Sequence, residues 1–529
     1  MKTPLTPLDW KRRAVSLYPT KIAVVDGDRS FTYREFDERT WRLSHALRAR
    51  GHGEQHVAAL LYNTHEMLEC FYGVGQMGGV LVPINTRLNL EEIFYILEHS
   101  EAEAIIFDAD FLPMIRTLAQ RLPKIQTYIV VGDESGQRLR DAPSGAPEYL
   151  GWVPYELLLA NADTTPFACE LDEDLPLTIN YTSGTTSRPK GVVLTHRNNY
   201  INAADVLFHM RVHHDDVYLH TLPMFHVNGW GSVWVFTAVG ATHVCLRRVD
   251  PDVILSLFEN LGITVAFGAP TVINMLLNAA SLPERKLTKT IRFATAGSPP
   301  PAAVIEQAER LLKMDITHVY GLTETTPLIT YCEWVDAFAK LSEEETANVK
   351  ARQGVEMVFS GETRVFRSDG VDVAWDGIEI GEIAARGNTV MEGYYKQPEE
   401  TAKVIRGGYF YTGDLAVVHP NGYIQIVDRA KDVIISGGEN VSSVEVEGVL
   451  YQHPAILEAG VVAVPHEKWG EVPKAFVVLK SGVTVSSDEL NVWCRERLAH
   501  FKTPKEYAFV DALPRTSTGK LQKYRLRQR

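Results

Sequence analysis

Between residues 20 and about 330 the chain alternates short, β-rich apolar runs with longer amphipathic stretches. Ile22 to Val25, His56 to Leu61, Ala104 to Phe107 and Thr127 to Val131 read as strands, while Glu91 to His99 and Val304 to Leu312 carry apolar residues at the helical period. Strands separated by helices predict an α/β architecture with largely parallel sheets. The pattern changes over 361–428, where Thr363 to Phe366, Glu382 to Arg386 and Tyr423 to Val427 are short segments divided by Gly, Asn and Asp turns. This predicts a small antiparallel barrel or sheet. Past Arg429, Asp432 to Ser436, Ala459 to Val464 and Ala475 to Leu479 read as strands, and Ser443 to Tyr451 and Ser487 to Leu498 as helices. The expected organisation is a large N-terminal domain, 1–429, of stacked α/β sheets with the β-rich subdomain inside it, followed by a small α+β domain, 430–529.

Composition narrows the classes. A chain of 529 residues, 45% hydrophobic and 22% charged, is globular and large enough for more than one core. A net charge of −13 argues against a general nucleic-acid or anionic-membrane surface, so a polyphosphate ligand must be gripped locally. Cys70, Cys169, Cys245, Cys332 and Cys494 are scattered, without CxxC pairing or metal spacing, as in a reducing compartment. The N-terminus lacks a signal-peptide core and no apolar run is long enough to span a bilayer, which makes the cytoplasm the simplest location.

Six strings carry candidate chemistry. Tyr181 to Gly191 reads YTSGTTSRPKG: Thr182, Ser183, Thr185, Thr186 and Ser187 offer hydroxyls, Gly184 lets backbone N–H groups converge on an anion, and Lys190 adds a mobile charge. Lys190 precedes the closing glycine and no GK[ST] follows, so this is not a Walker A loop. His318 to Pro327, HVYGLTETTP, joins an aromatic, a glycine, hydroxyls and a carboxylate. Ala294 to Pro300, ATAGSPP, supplies a Gly297-Ser298-Pro299 turn, Tyr409 to Leu415, YFYTGDL, precedes DRAKD at Asp428 to Asp432, and Pro514 to Lys523 reads PRTSTGKLQK. Each string alone also fits an ordinary turn or helix cap; their order and spacing do not.

Together these strings, with the FTYREFDERTWRLSHALRARG segment near the N-terminus, resemble the AMP-forming acyl-CoA synthetase, adenylation-domain and luciferase superfamily, and the resemblance covers essentially the whole chain. Ser187 stands where the family usually has glycine. The resemblance implies a phosphate loop at 182–190, an adenine side formed by Gly297, Ser298, Pro299, His318, Tyr320 and Gly321, an α-phosphate contact from Thr323 and Mg²⁺ coordination by Glu324. It further implies a ribose grip by Asp414 and Arg429, a hinge at Lys431 on which the C-terminal domain turns, a pantetheine path along Gly437 and Gly438, and a lysine, Lys520, that bridges carboxylate and α-phosphate oxygens.

The acid is expected against Leu222 to Trp230, LPMFHVNGW. The position that holds an ammonium-pairing aspartate in amino-acid-activating relatives is His226, and Val227 and Trp230 offer apolar surface, with Val233 and Phe236 open to a core role instead. Short- or medium-chain acids, methylthio-substituted or aryl acids included, are the expected substrates, with His226 between the acid and thiol halves. The chain stops nine residues after Lys520 with no carrier segment, so free coenzyme A is the expected thiol. ATP, Mg²⁺ and coenzyme A are the implied cofactor and co-substrates, and a homodimer is the family's expectation. Loading of a carrier protein and a luciferase-like oxygenase are the alternatives.

Overall fold

The computed structural model describes residues 2–132, 152–182, 188–296, 302–436, 439–516 and 521–528. Two large sheets dominate. Ile22–Asp26, Thr242–Val244, Val217–Leu219, Val265–Gly268, Ile291–Thr295 and Met314–Gly321 run parallel through a nine-stranded sheet, whose antiparallel edges are Arg29–Thr32 on one side and Leu328–Tyr331 with Val355–Glu356 on the other. The second sheet has eight strands in the order Gly393–Tyr394, Lys190–Thr195, Pro176–Thr182, Val80–Pro83, His56–Leu60, Ala104–Asp108, Thr127–Val131 and Trp152–Pro154. Only its first two strands are antiparallel to their neighbours.

Strands Ala104–Asp108 and Thr127–Val131 are buried along their whole length, which is why their middles read as apolar runs rather than alternating ones, with Asp108 and Thr127 buried at their ends. The helix His65–Gly75 is likewise buried at every position. It belongs to a core that joins Val57, Ala59 and Leu61, on and just past a strand of the eight-stranded sheet, to Tyr218 and Phe267 of the nine-stranded one. Local chemistry sets the helix starts. Thr32 accepts a bond from the Glu35 N–H while Glu35 accepts from the Thr32 N–H, and the same box opens helices at Asn89/Glu92 and Ser486/Glu489.

Residues 362–429 form a five-stranded antiparallel sheet of Glu362–Phe366, Gly381–Arg386, Ile405–Arg406, Tyr409–Val418 and Ile424–Arg429. A last sheet follows, built on the long hairpin Ile456–His466/Gly470–Leu479. With helices Ser443–Tyr451 and Ser487–Arg497 it encloses a core of its own, including Val446, Leu450, Val461, Val477, Leu490 and Cys494.

One buried charged cluster sits beside a cavity of about 200 Å³ where strand Ile22–Asp26 meets the start of helix His65–Gly75. Asp26 Oδ2 accepts from the His65 N–H at 2.9 Å and from its Nδ1 at 2.7 Å. His65 Nε2 lies 3.2 Å from Glu66, without hydrogen-bond geometry, and 3.8 Å from Glu156. Arg39 bridges Glu69 and Glu156, and Tyr155 donates to Glu69 at 2.7 Å. Although burial opposes the charge, the surrounding carboxylates raise the His65 pKa to about 10, so it is a cation at neutral pH.

Candidate active site

The hairpin Pro176–Thr182/Lys190–Thr195 presents the phosphate string. Thr182 and Lys190 are cross-strand partners beside its connecting segment. Lys190 reaches Glu400 at 2.7 Å and lies over the Tyr394 ring, 4.6 Å from its centroid. The lysine, aided by Lys403, holds the Glu400 carboxyl down to about 2. Tyr394 in turn donates its hydroxyl to Glu324 Oε1 at 2.8 Å.

Glu324 stands in the short 3-10 turn Thr323–Thr325 that follows strand Met314–Gly321. The turn is stitched to the hairpin: Met391 N–H bonds the Glu324 carbonyl, Tyr394 pairs with Val192, and Tyr395 N–H bonds the Gly191 carbonyl. Lys190, Glu400, Tyr394 and Glu324 thus form one polar path between the phosphate string and the carboxylate string. Glu324 Oε2 accepts no hydrogen bond among the described residues, which suits a hard divalent cation. Gly321 has a packing reason, since a Cβ there would lie 1.6 Å from the Pro327 carbonyl oxygen.

The two residues expected to grip the ribose also come together. Strands Tyr409–Val418 and Ile424–Arg429 place Asp414 opposite Arg429, with Nε 3.1 Å from Oδ1. Tyr320 donates to Asp414 Oδ2 at 2.8 Å, and burial beside that carboxylate pushes the phenol's pKa well up, so it stays a donor. A carboxylate has about four lone-pair sites, so Asp414 can still accept hydroxyls. His318 is buried, with Nδ1 2.8 Å from the Ala351 carbonyl; burial lowers its pKa to about 4, so a neutral ring donates that bond. Its side chain belongs to this inner contact, not to the Lys190–Glu324 path. Thr323 is buried in the turn.

On the acid side, His226 precedes a short turn, Val227–Trp230, and is half-buried, while Val227 and Trp230 are buried. Trp230 stacks on Phe267, centroids 6.3 Å apart at 24°. Val233 and Phe236 are fully buried in the main core, so their role is packing. Lys431 is exposed, and its carbonyl accepts from Arg527 at 3.2 Å. Ser183, Gly184, Thr185, Thr186 and Ser187, Gly297, Ser298 and Pro299, Gly437 and Gly438, and Lys520 lie outside the described residues. Sequence reasoning passed over Tyr394 and Glu400. The string GYYKQPEE carries them, but nothing in its spacing points 210 positions back to Lys190.

The Lys190–Glu324 path, the Asp414–Arg429 pair and a separate C-terminal sheet fit the arrangement expected of an adenylate-forming enzyme. The chain belongs to the AMP-binding enzyme family: the family model matches residues 11–395, and the AMP-binding enzyme C-terminal domain matches residues 445–520. It is 42% identical to a 2-methylpropanoate–CoA ligase of Humulus lupulus, covering 99% of this chain and 95% of that one. It is 41% identical to 4-hydroxybutyrate–CoA ligase 2 of Metallosphaera sedula, covering 99% and 94%. The fold matches the anthranilate–CoA ligase AuaEII in complex with anthranoyl-AMP, with a TM-score of 0.89 at 26% identity over 100% of this chain and 98% of that one. No helix among the described residues is long and apolar enough to cross a membrane.

Proposed function

We propose that the protein ligates a short- or medium-chain carboxylic acid to coenzyme A in two steps, using ATP. The carboxylate attacks the α-phosphorus and expels pyrophosphate; the thiol then attacks the acyl carbonyl and AMP leaves. The observation that carries the nucleotide half is the path Lys190–Glu400 and Tyr394–Glu324 beside the phosphate hairpin. Lys190 and the hydroxyl loop neutralise the departing pyrophosphate, Thr323 orients the α-phosphate, and Asp414 with Arg429 grips the ribose. Glu324 would hold Mg²⁺, which when bound supplies charge neutralisation on the polyphosphate. His226 lies between acid and thiol, and the C-terminal domain, 430–529, turns about Lys431 between steps.

The acid class rests on the buried apolar side chains of Val227 and Trp230 beside His226 and on the short branched or hydroxylated acids in the relatives' names. Five free cysteines support the cytoplasm, although some relatives are named peroxisomal. A homodimer is the family's expectation.

A Trp230→Leu variant tests the acid reading. If Trp230 closes the acyl channel, the optimum among straight-chain acids moves to longer chains, with about fourfold in kcat/KM for each methylene newly buried. An unchanged optimum in a folded variant contradicts it.

A further inference from the structure

Val227, Asn228, Gly229, Trp230 and Gly231 all have positive φ, between 45° and 81°. Left-handed backbone costs an L-residue about 1–2 kcal/mol, and for a β-branched valine it is an outlier. Such a turn persists only where its surroundings over-determine it. Here buried amides surround it: Asn202 Nδ2 donates to the Trp230 carbonyl at 3.4 Å, and Asn228 is the most fully bonded of them. Asn228 Nδ2 donates to Asn199 Oδ1 at 2.7 Å and to Thr178 Oγ1 at 3.0 Å, while its Oδ1 accepts from Asn180 Nδ2 at 3.1 Å. Every hydrogen-bonding position the amide must fill when buried is filled, and Thr178, Asn180, Asn199 and Asn228 are each at most 2% exposed. Asn180 also reaches the Phe225 carbonyl at 3.4 Å.

Thr178 and Asn180 sit on strand Pro176–Thr182, and with a side-chain period of two they share a face with Thr182, where the phosphate string begins. Asn180 and Thr182 are therefore about 7 Å apart along the strand. The other end of the acid-side segment has its own buried clamp. Asn63 Nδ2 donates to the carbonyls of His220 and Leu222 at 2.8 and 2.9 Å, and its Oδ1 accepts the Met224 N–H at 2.8 Å.

We propose that Asn228 is a positioning residue of the ligation reaction: it fastens the acid-side turn to the phosphate-side strand, so that the carboxylate is presented in line with the α-phosphorus, and Asn63 holds the same segment from its start. The proposal rests on the reading that Leu222 to Trp230 receives the acid and 182–190 the polyphosphate. The strain in the turn and the paired amides have one common effect, a fixed offset between the two halves of the reaction. An error of about 1 Å in such an offset costs about 100-fold in rate.

Asn228→Gly separates the side chain from the backbone, because glycine keeps the left-handed turn without penalty while the amide is deleted. The full-length variant is assayed by pyrophosphate release with ATP, Mg²⁺ and a straight-chain acid series, with kcat expressed per active site titrated by single-turnover acyl-AMP formation. The expected result is a kcat/KM for the acid lowered about 100-fold, mostly in kcat, an ATP KM close to wild type, and a flattened preference among acids. A merely structural role lowers the melting temperature and the titrated fraction but leaves per-site kcat and acid preference unchanged, and that result overturns the proposal. If Asn228→Gly does not fold, Asn63→Ser is judged by the same readouts. A wild-type enzyme that adenylates no acid refutes the underlying reading; a wild type that ligates acids beside an indifferent variant refutes only the positioning role.

Discussion

Lys520→Ala lowers acid-dependent pyrophosphate release by about 10²- to 10³-fold, the size of losing a single charge-stabilising donor, yet still converts supplied acyl-AMP and coenzyme A into thioester. In the first step the α-phosphate gains a bond to the acid's oxygen while two anions are held together, and a cation bridging them is worth most there. In the second step the adenylate already exists and the attacking thiol brings no carboxylate. The chain on either side of this position is anchored: Arg515 and Leu521 pair as an antiparallel bridge, Arg515 meets Glu458 at 3.2 Å, and Leu521 packs with Val462 and Phe476. With the proposed turn of the C-terminal domain between the steps, the two half-reactions are expected to separate in the variant. Equal loss of both half-reactions overturns a role confined to the first step.

His65→Leu lowers the free energy of unfolding by about 3–5 kcal/mol near neutral pH, because it leaves Asp26, Glu66 and Glu156 around an uncharged side chain in a buried setting. The pH dependence follows from the direction of the shift. The imidazole's pKa is raised from 6.5 to about 10, so its contribution is complete below its unfolded pKa and is lost as pH rises through about 10. Urea unfolding of the wild type should therefore weaken across that interval, and the variant should lack this component of the slope. A variant as stable as wild type, with the same slope, contradicts the charged assignment. His65 touches none of the proposed ligand residues, so activity of the folded fraction should persist.

The parallel strands were legible because burial on both faces leaves a run such as Thr127–Val131 no solvent-facing position, so all but its first residue are apolar or aromatic. The helices were legible through their apolar period, and Asp414 and Arg429 through the resemblance of two strings, which one hairpin brings together. What was not legible depends on partners far apart in sequence. Glu400 matters because sheet pairing at Gly393–Tyr394 carries its helix back to Lys190, and His65 because Asp26 ends a strand in the other sheet. The turn at Val227–Gly231 runs against local preference at Val227 and Trp230; buried amides from separate segments, those of Asn180, Asn199, Asn202 and Asn228, select it. Pairwise geometry of that kind leaves no period or spacing to read.

The central claim is acid–thiol ligation through an adenylate, and product stoichiometry tests it most directly. Purified full-length enzyme is incubated with ATP, Mg²⁺, coenzyme A and butyrate or 2-methylpropanoate, and nucleotides and thioesters are quantified together. The account predicts AMP, pyrophosphate and acyl-CoA in equal amounts, with no sustained turnover when acid or coenzyme A is omitted. Formation of ADP and phosphate, or AMP release that continues unchanged without coenzyme A, would contradict it.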